Sequence, residues 1–227
     1  MKKSYIIYSL LLALMVVSGC GGVGKSTTPK AAPMKPTESG KPNKILVVYY
    51  SVPEATSPNN MTKEGENSSV VVNNKILGNN QYVAGIISKA LGADEFRIET
   101  VKQYPIADHR AFINEAEQEL KKGVRPALKA EPKDLAQYNI VFLGYPNWWG
   151  TMPPALFTFL EKNDLSDKTV IPFNTHGGSG FSDTIATIKK LQPKAKVIED
   201  GLSIHRDNVE GSEGKIKAWL EKLGFKL

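Results

Sequence analysis

Ile45-Leu46-Val47-Val48-Tyr49-Tyr50, followed at once by Ser51, is the stretch on which the fold turns. A short continuous apolar run, without polar alternation, is what a strand buried on both faces requires. Such a strand needs parallel neighbours and crossover helices, and the downstream sequence supplies both in turn. Residues 80–91 place Val83, Ile86, Ile87, Ala90 and Leu91 at helical spacing, with Gly92 as the stop. Residues 95–101 read as a second strand. Asp108 then caps a helix reaching about Lys122, with Phe112, Ile113, Ala116 and Leu120 on one face. A third strand lies at 140–143, and Pro153 and Pro154 open a short helix after it. Residues 170–173 make a fourth strand, a helix starts at Ser182, residues 196–204 offer a fifth strand, and Ile216, Trp219, Leu220 and Leu223 mark a terminal helix. Five strands alternating with five helices predict an α/β three-layer sandwich, a five-stranded parallel sheet with helices on both faces. Ligands of such sheets lie beyond the carboxyl ends of the strands, where the strand order reverses. The segments after strands one, three and four are therefore expected to hold the site.

Outward from this core toward the N-terminus the composition changes character. Lys2 and Lys3 precede an apolar run over residues 5–17, too short for a bilayer span of ~20 residues but suited to an export signal. The run ends in Val17-Ser18-Gly19-Cys20, and Cys20 is the single cysteine of the 227 residues. This resembles the lipobox of bacterial lipoproteins, so residues 1–19 are expected to be a signal peptide and Cys20 the lipid-modified mature N-terminus. Removing them takes two lysines from a formal charge of +6, leaving +4. Residues 20–43 then form a tether rich in Gly, Pro, Ser, Thr and Lys, with a flexible span of roughly 26 Å. The folded part is expected to be 44–227, exported and anchored to the outer face of the cell membrane. Gly19, Gly24, Lys25 and Ser26 satisfy a phosphate-loop pattern, but no core strand precedes them, and Pro29 and Pro33 stop any helix after them. Asn60-Met61-Thr62 and Asn67-Ser68-Ser69 fit the N-glycosylation pattern, a reading that bacterial export disfavours. Hydrophobic residues at 41% and charged residues at 23% exclude a disordered chain. Basic residues are scattered and not interleaved with aromatics, which argues against nucleic acid as a partner.

The three segments have unusual compositions. After strand one stands Ser51, and the next helix opens on Gly78-Asn79-Asn80-Gln81. Small polar residues at a helix N-terminus can hold a phosphate through backbone N–H groups and the helix dipole, although a plain Asn cap reads the same way. After strand three comes Tyr145-Pro146-Asn147-Trp148-Trp149-Gly150. Successive strand side chains alternate, so two adjacent tryptophans cannot both enter one core. One indole is expected at the surface, where it suits a planar ring. After strand four, Thr175-His176-Gly177-Gly178-Ser179-Gly180 lets backbone approach a ligand closely. His176 reads as a hydrogen-bonding wall. His109 and His205 give no metal-ligand spacing, and no metal is expected. Neither of the last two segments contains Lys or Arg, so a ring held there is expected to have no cation beside it.

Together Ser51, the Gly78-Asn79-Asn80-Gln81 start, Pro146-Asn147-Trp148-Trp149-Gly150-Thr151-Met152-Pro153 and the Thr175-to-Gly180 segment resemble the flavodoxin-like family. The nearest branch looks like the bacterial flavodoxin-type lipoproteins with a long first loop. The resemblance covers 44–227 and implies a sheet of order 2-1-3-4-5 that binds FMN. It implies Ser51, Val52, Gly78, Asn79, Asn80 and Gln81 at the phosphate, and Pro146, Asn147, Trp148, Trp149 and Gly150 on the ring. Thr175, His176, Gly177, Gly178 and Gly180 fall at its pyrimidine edge. Two departures stand out, the first loop and the charge, +4 after signal removal where the soluble flavodoxins are acidic. Residues 52–77 form an insertion, in which Val70-Val71-Val72-Asn73-Asn74-Lys75-Ile76-Leu77 reads as a hairpin. Its length leads us to expect it to close over the phosphate side. Asn80 also stands where the family has a Thr. The implied function is electron transfer by an FMN protein, with partner proteins or small acceptors differing from those of the acidic soluble flavodoxins. An FMN-dependent NAD(P)H or quinone oxidoreductase is the alternative, and a flavin-free binding module of the same shape a third.

Overall fold

The computed structural model describes residues 43–227; the expected signal peptide, Cys20 and the tether up to residue 42 lie outside them. Strand β1 (Ile45–Tyr50) leads into a 3-10 turn (Pro58–Asn60) and helix α1 (Lys63–Ser68), then into a hairpin of β2 (Ser69–Val72) and β3 (Lys75–Gly78). Helix α2 (Asn79–Leu91), β4 (Asp94–Ile98), α3 (His109–Lys121), β5 (Ile140–Pro146), α4 (Pro154–Lys162), β6 (Thr169–His176) and α5 (Thr184–Leu191) follow. The chain ends with β7 (Lys196–Val197), β8 (Leu202–His205) and α6 (Glu213–Lys222). The main sheet runs β4-β1-β5-β6-β7, with β8 also on β6. All of its pairings are parallel. Counted along this sheet, the order is the expected 2-1-3-4-5.

Two cores flank the sheet, as the apolar run of β1 requires. Val47 and Tyr49 face one side with Val83, Ala84 and Ile87 of α2 and Ile216, Trp219 and Leu220 of α6. Leu46, Val48 and Tyr50 face the other with Leu156 and Phe159 of α4 and Ile188 of α5. The capping signals hold: Asp108 Oδ1 accepts from the Ala111 N–H at 3.0 Å, and Gly92 ends α2 at φ +60°.

The fifth strand departs from expectation. It breaks between Val197 and Leu202 because Pro172 of β6, whose nitrogen would face this neighbour, has no N–H to donate. The ladder runs as far as the Ile198 N–H to the Val170 carbonyl at 2.9 Å and resumes at Phe173 opposite Leu202. Strands β5 and β6 also run further than expected, so Pro146, Thr175 and His176 sit on strand ends instead of in loops.

Candidate functional site

A cavity of about 220 Å³ opens at the carboxyl edge of the sheet, where β1, β5 and β6 end. Its floor is Ser51, Asn79 and Asn80, and one wall is Pro146, Asn147 and Trp148. Thr175, His176 and Gly177 complete it on the β6 side, and Val52 enters from the insertion. A depression of about 580 Å³ lies against α3, but it holds none of these residues.

The floor is built by α2. Gly78 precedes it with no side chain to accept from the first-turn N–H groups, and that turn carries no acidic residue. Gln81 Oε1 turns back to accept from the Gly78 N–H at 3.3 Å, which supports the helix start without entering the cavity. Gly78 itself packs on Ser51: a Cβ there would lie 2.2 Å from Ser51 Oγ. Asn80 Nδ2 donates to Thr175 Oγ1 at 2.8 Å, and Asn79 Nδ2 to the Asn67 carbonyl at 2.9 Å. Both residues are almost wholly buried, yet neither Oδ1 has a donor. Turning either amide over changes which atom is orphaned and still leaves polar capacity for a ligand.

The aromatic wall divides the two tryptophans as expected. Trp148 packs edge-on against Tyr50, Tyr104 and Phe112, at centroid distances of 5.8, 5.7 and 5.5 Å. Trp149 is 54% exposed. The chain reverses through Trp149 at φ +49° and Gly150 at φ +83°, a two-residue turn closed by Trp148 N–H to Thr151 carbonyl at 2.9 Å and its reciprocal at 3.0 Å. A tryptophan at positive φ is strained. Asn147 holds the turn by accepting from the Gly150 N–H at 2.9 Å, and ties it to the next loop by donating to the Gly180 carbonyl at 2.8 Å. Trp149, Gly150, Gly178 and Gly180 thus surround the cavity as rim and support and do not line it.

The electrostatics contain groups that the sequence reading missed. Glu54, Glu64, Asn67 and Ser68 of the insertion line the cavity, with His109 and Phe112 of α3. Glu54 Oε2 lies 2.5 Å from His109 Nδ1. Burial raises the Glu54 pKa, and the His109 hydrogen bond opposes that rise. His176 Nδ1 accepts from the Gly178 N–H at 2.9 Å, and its ring meets His205 at 5.4 Å. Burial lowers the His176 pKa, helped by His205 and Lys215, which favours the neutral imidazole that this bond needs. The cavity does hold a cation from outside the three segments: Arg206, the first residue after β8, lines it beside Gly177. Its signal was available, since every parallel strand ends at the same edge of the sheet.

Residues 69–223 match the model of the flavodoxin family. No curated protein matches the chain. Among solved structures, a candidate flavoprotein from Bacteroides eggerthii is similar at 27% identity and a TM-score of 0.61, over 82% of this chain and 100% of that one. One from Bacteroides uniformis shares 24% identity at a TM-score of 0.58, over 80% and 99%. A Lactobacillus acidophilus flavoprotein, solved in complex with FMN, shares the fold at 16% identity and a TM-score of 0.52, over 78% and 99%.

Proposed function

Because this chain belongs to the flavodoxin family, we propose that it binds FMN in the cavity at the sheet's carboxyl edge. We propose further that it serves in electron transfer at the outer face of the cell membrane. One observation carries the cofactor assignment. The first turn of α2 offers N–H groups with no side-chain acceptor, while Asn79 and Asn80 beside it hold amide oxygens with no donor. A ligand that answers both brings an anion and hydroxyl groups on one chain, as a ribityl phosphate does. The FMN complex of the Lactobacillus acidophilus protein of the same fold supports the same reading.

Each wall then has a task. The Ser51 hydroxyl and the α2 N-terminus hold the phosphate. Asn79 and Asn80 serve the ribityl chain. Trp148 and Phe112 give the ring an apolar side, with Trp149 at its rim. Gly177, with no side chain, leaves its backbone open to the cavity and to Arg206. His176, kept neutral, holds the Gly178 peptide in place. FMN, when bound, supplies the reversible one- and two-electron chemistry. The lipobox ending at Cys20 supports the membrane location, which leaves partner proteins or small acceptors outside the cytoplasm as redox partners.

The pair of half-buried Glu54 and exposed His109 favours a second reading, an FMN-dependent NAD(P)H or quinone oxidoreductase, because it can hold or release a proton in the same cavity. Steady-state oxidation of NAD(P)H with a quinone acceptor separates the two. A carrier turns over negligibly without a partner protein. An oxidoreductase turns over unaided and slows in Glu54→Gln.

A further inference from the structure

We infer that Arg206 is the cation of this site: it pairs with the phosphate of the bound flavin and makes the chain select FMN over riboflavin. The inference rests on the FMN reading and adds a residue that none of the three loops contains.

The parallel register sets His205 opposite His176, so Arg206 emerges beyond the end of β6. A Cβ on Gly177 would stand 3.2 Å from Arg206 Nη1, so the guanidinium lies on bare glycine backbone. From there a closed ring of contacts leads to the floor of the cavity. Thr175 bonds Asn80 at 2.8 Å, and Asn79 bonds Asn67 of α1 at 2.9 Å. Helix α1 in turn leans on the turn that contains Arg206. Arg206 and the N-terminus of α2 therefore border one enclosure of about 220 Å³. In a space this size, one anion feels both the helix dipole and the guanidinium.

The guanidinium is also unemployed. Among the described residues it donates no hydrogen bond, and its ion-pair contact is with Asp207 Oδ1 at 3.9 Å, both side chains well exposed. Such a pair contributes little. Glu54 and Glu64, on another wall of the cavity, form no ion pair with it; Glu54 is engaged by His109. Planar N–H donors beside two buried, orphaned amides describe a phosphate-and-hydroxyl ligand better than either feature alone.

The test is an equilibrium titration of the full chain, stripped of flavin, with FMN and with riboflavin, read by quenching of flavin fluorescence. It is run on the wild type, Arg206→Gln and Arg206→Lys, with thermal melts as a folding control. The expected result is a loss of FMN affinity of about 10- to 100-fold in Arg206→Gln, the size of one charge-assisted hydrogen bond, with riboflavin affinity unchanged. Arg206→Lys should retain part of the preference, and added salt should weaken FMN binding more in the wild type than in Arg206→Gln. Equal losses for both flavins would mean that Arg206 serves the ring, and an unchanged FMN affinity would mean that it serves neither; each overturns the inference while leaving FMN binding intact. A wild type that binds neither flavin overturns the inference together with the reading beneath it.

Discussion

Trp149 and Gly150 occupy adjacent positive-φ positions, and the structure accepts strain at the first in order to hold an indole out at the cavity rim. Gly150 tests the turn cleanly. Space is free around it, the nearest atom to an added Cβ being Ser182 Oγ at 3.7 Å, so only the backbone conformation at φ +83° is at issue. Gly150→Ala should cost ~1–2 kcal/mol of stability by chemical denaturation and weaken flavin binding with it. His176 brings one pH dependence to the site. Its pKa is depressed, mainly by burial, so its contribution to stability is present above the unfolded value of about 6.5 and is lost as pH falls through the folded value. An NMR titration should place its midpoint below 6.5, and His205→Gln should raise it part of the way. At this scale the sequence was legible wherever chain order alone constrains a side chain, as in the division of the tryptophans. It was silent on Glu54–His109, whose partners stand 55 positions apart and meet only through the fold.

The elements were legible where periodicity and caps agree, which covers α2, α3 and the hairpin. That hairpin turns through Asn73 at φ +49° and Asn74 at φ +60°, as its Asn-Asn pair indicates. The break between β7 and β8 was harder to see, because Pro172 lies in β6 and acts on the strand beside it. The short helix α1 was missed altogether. Six residues carry too little periodicity to register, and its Thr62 cap, which accepts from the Gly65 N–H at 3.1 Å, is an ordinary loop residue by composition. Yet α1 and the segment before it bring Glu54, Glu64, Asn67 and Ser68 to the cavity. Replacing residues 53–76 by a short Gly/Ser linker should therefore lower FMN affinity by roughly tenfold or more in a fluorescence titration, the worth of a hydrogen bond or two, while the shortened chain still unfolds cooperatively. Unchanged affinity would assign the insertion another role.

For the whole molecule, one rule governs the site: parallel strands in the order 2-1-3-4-5 deliver the ends of β1, β5, β6 and β8 to a single edge. The parallel sheet was legible through the alternation of elements and its strand order through the resemblance, whereas the walls that the insertion and the last strand add were not. Beyond the described residues, the lipobox reading carries its own test. Cys20→Ala should move the protein from the membrane pellet to the soluble exported fraction, since two acyl chains anchor firmly and their loss leaves no comparable hold. FMN in the cavity is tested by purifying the full chain, releasing any bound pigment by denaturation and identifying it. A yellow protein that yields FMN at one equivalent per chain, or a colourless one that takes up one equivalent when FMN is added, is the expected result. A colourless protein that takes up no FMN would contradict it.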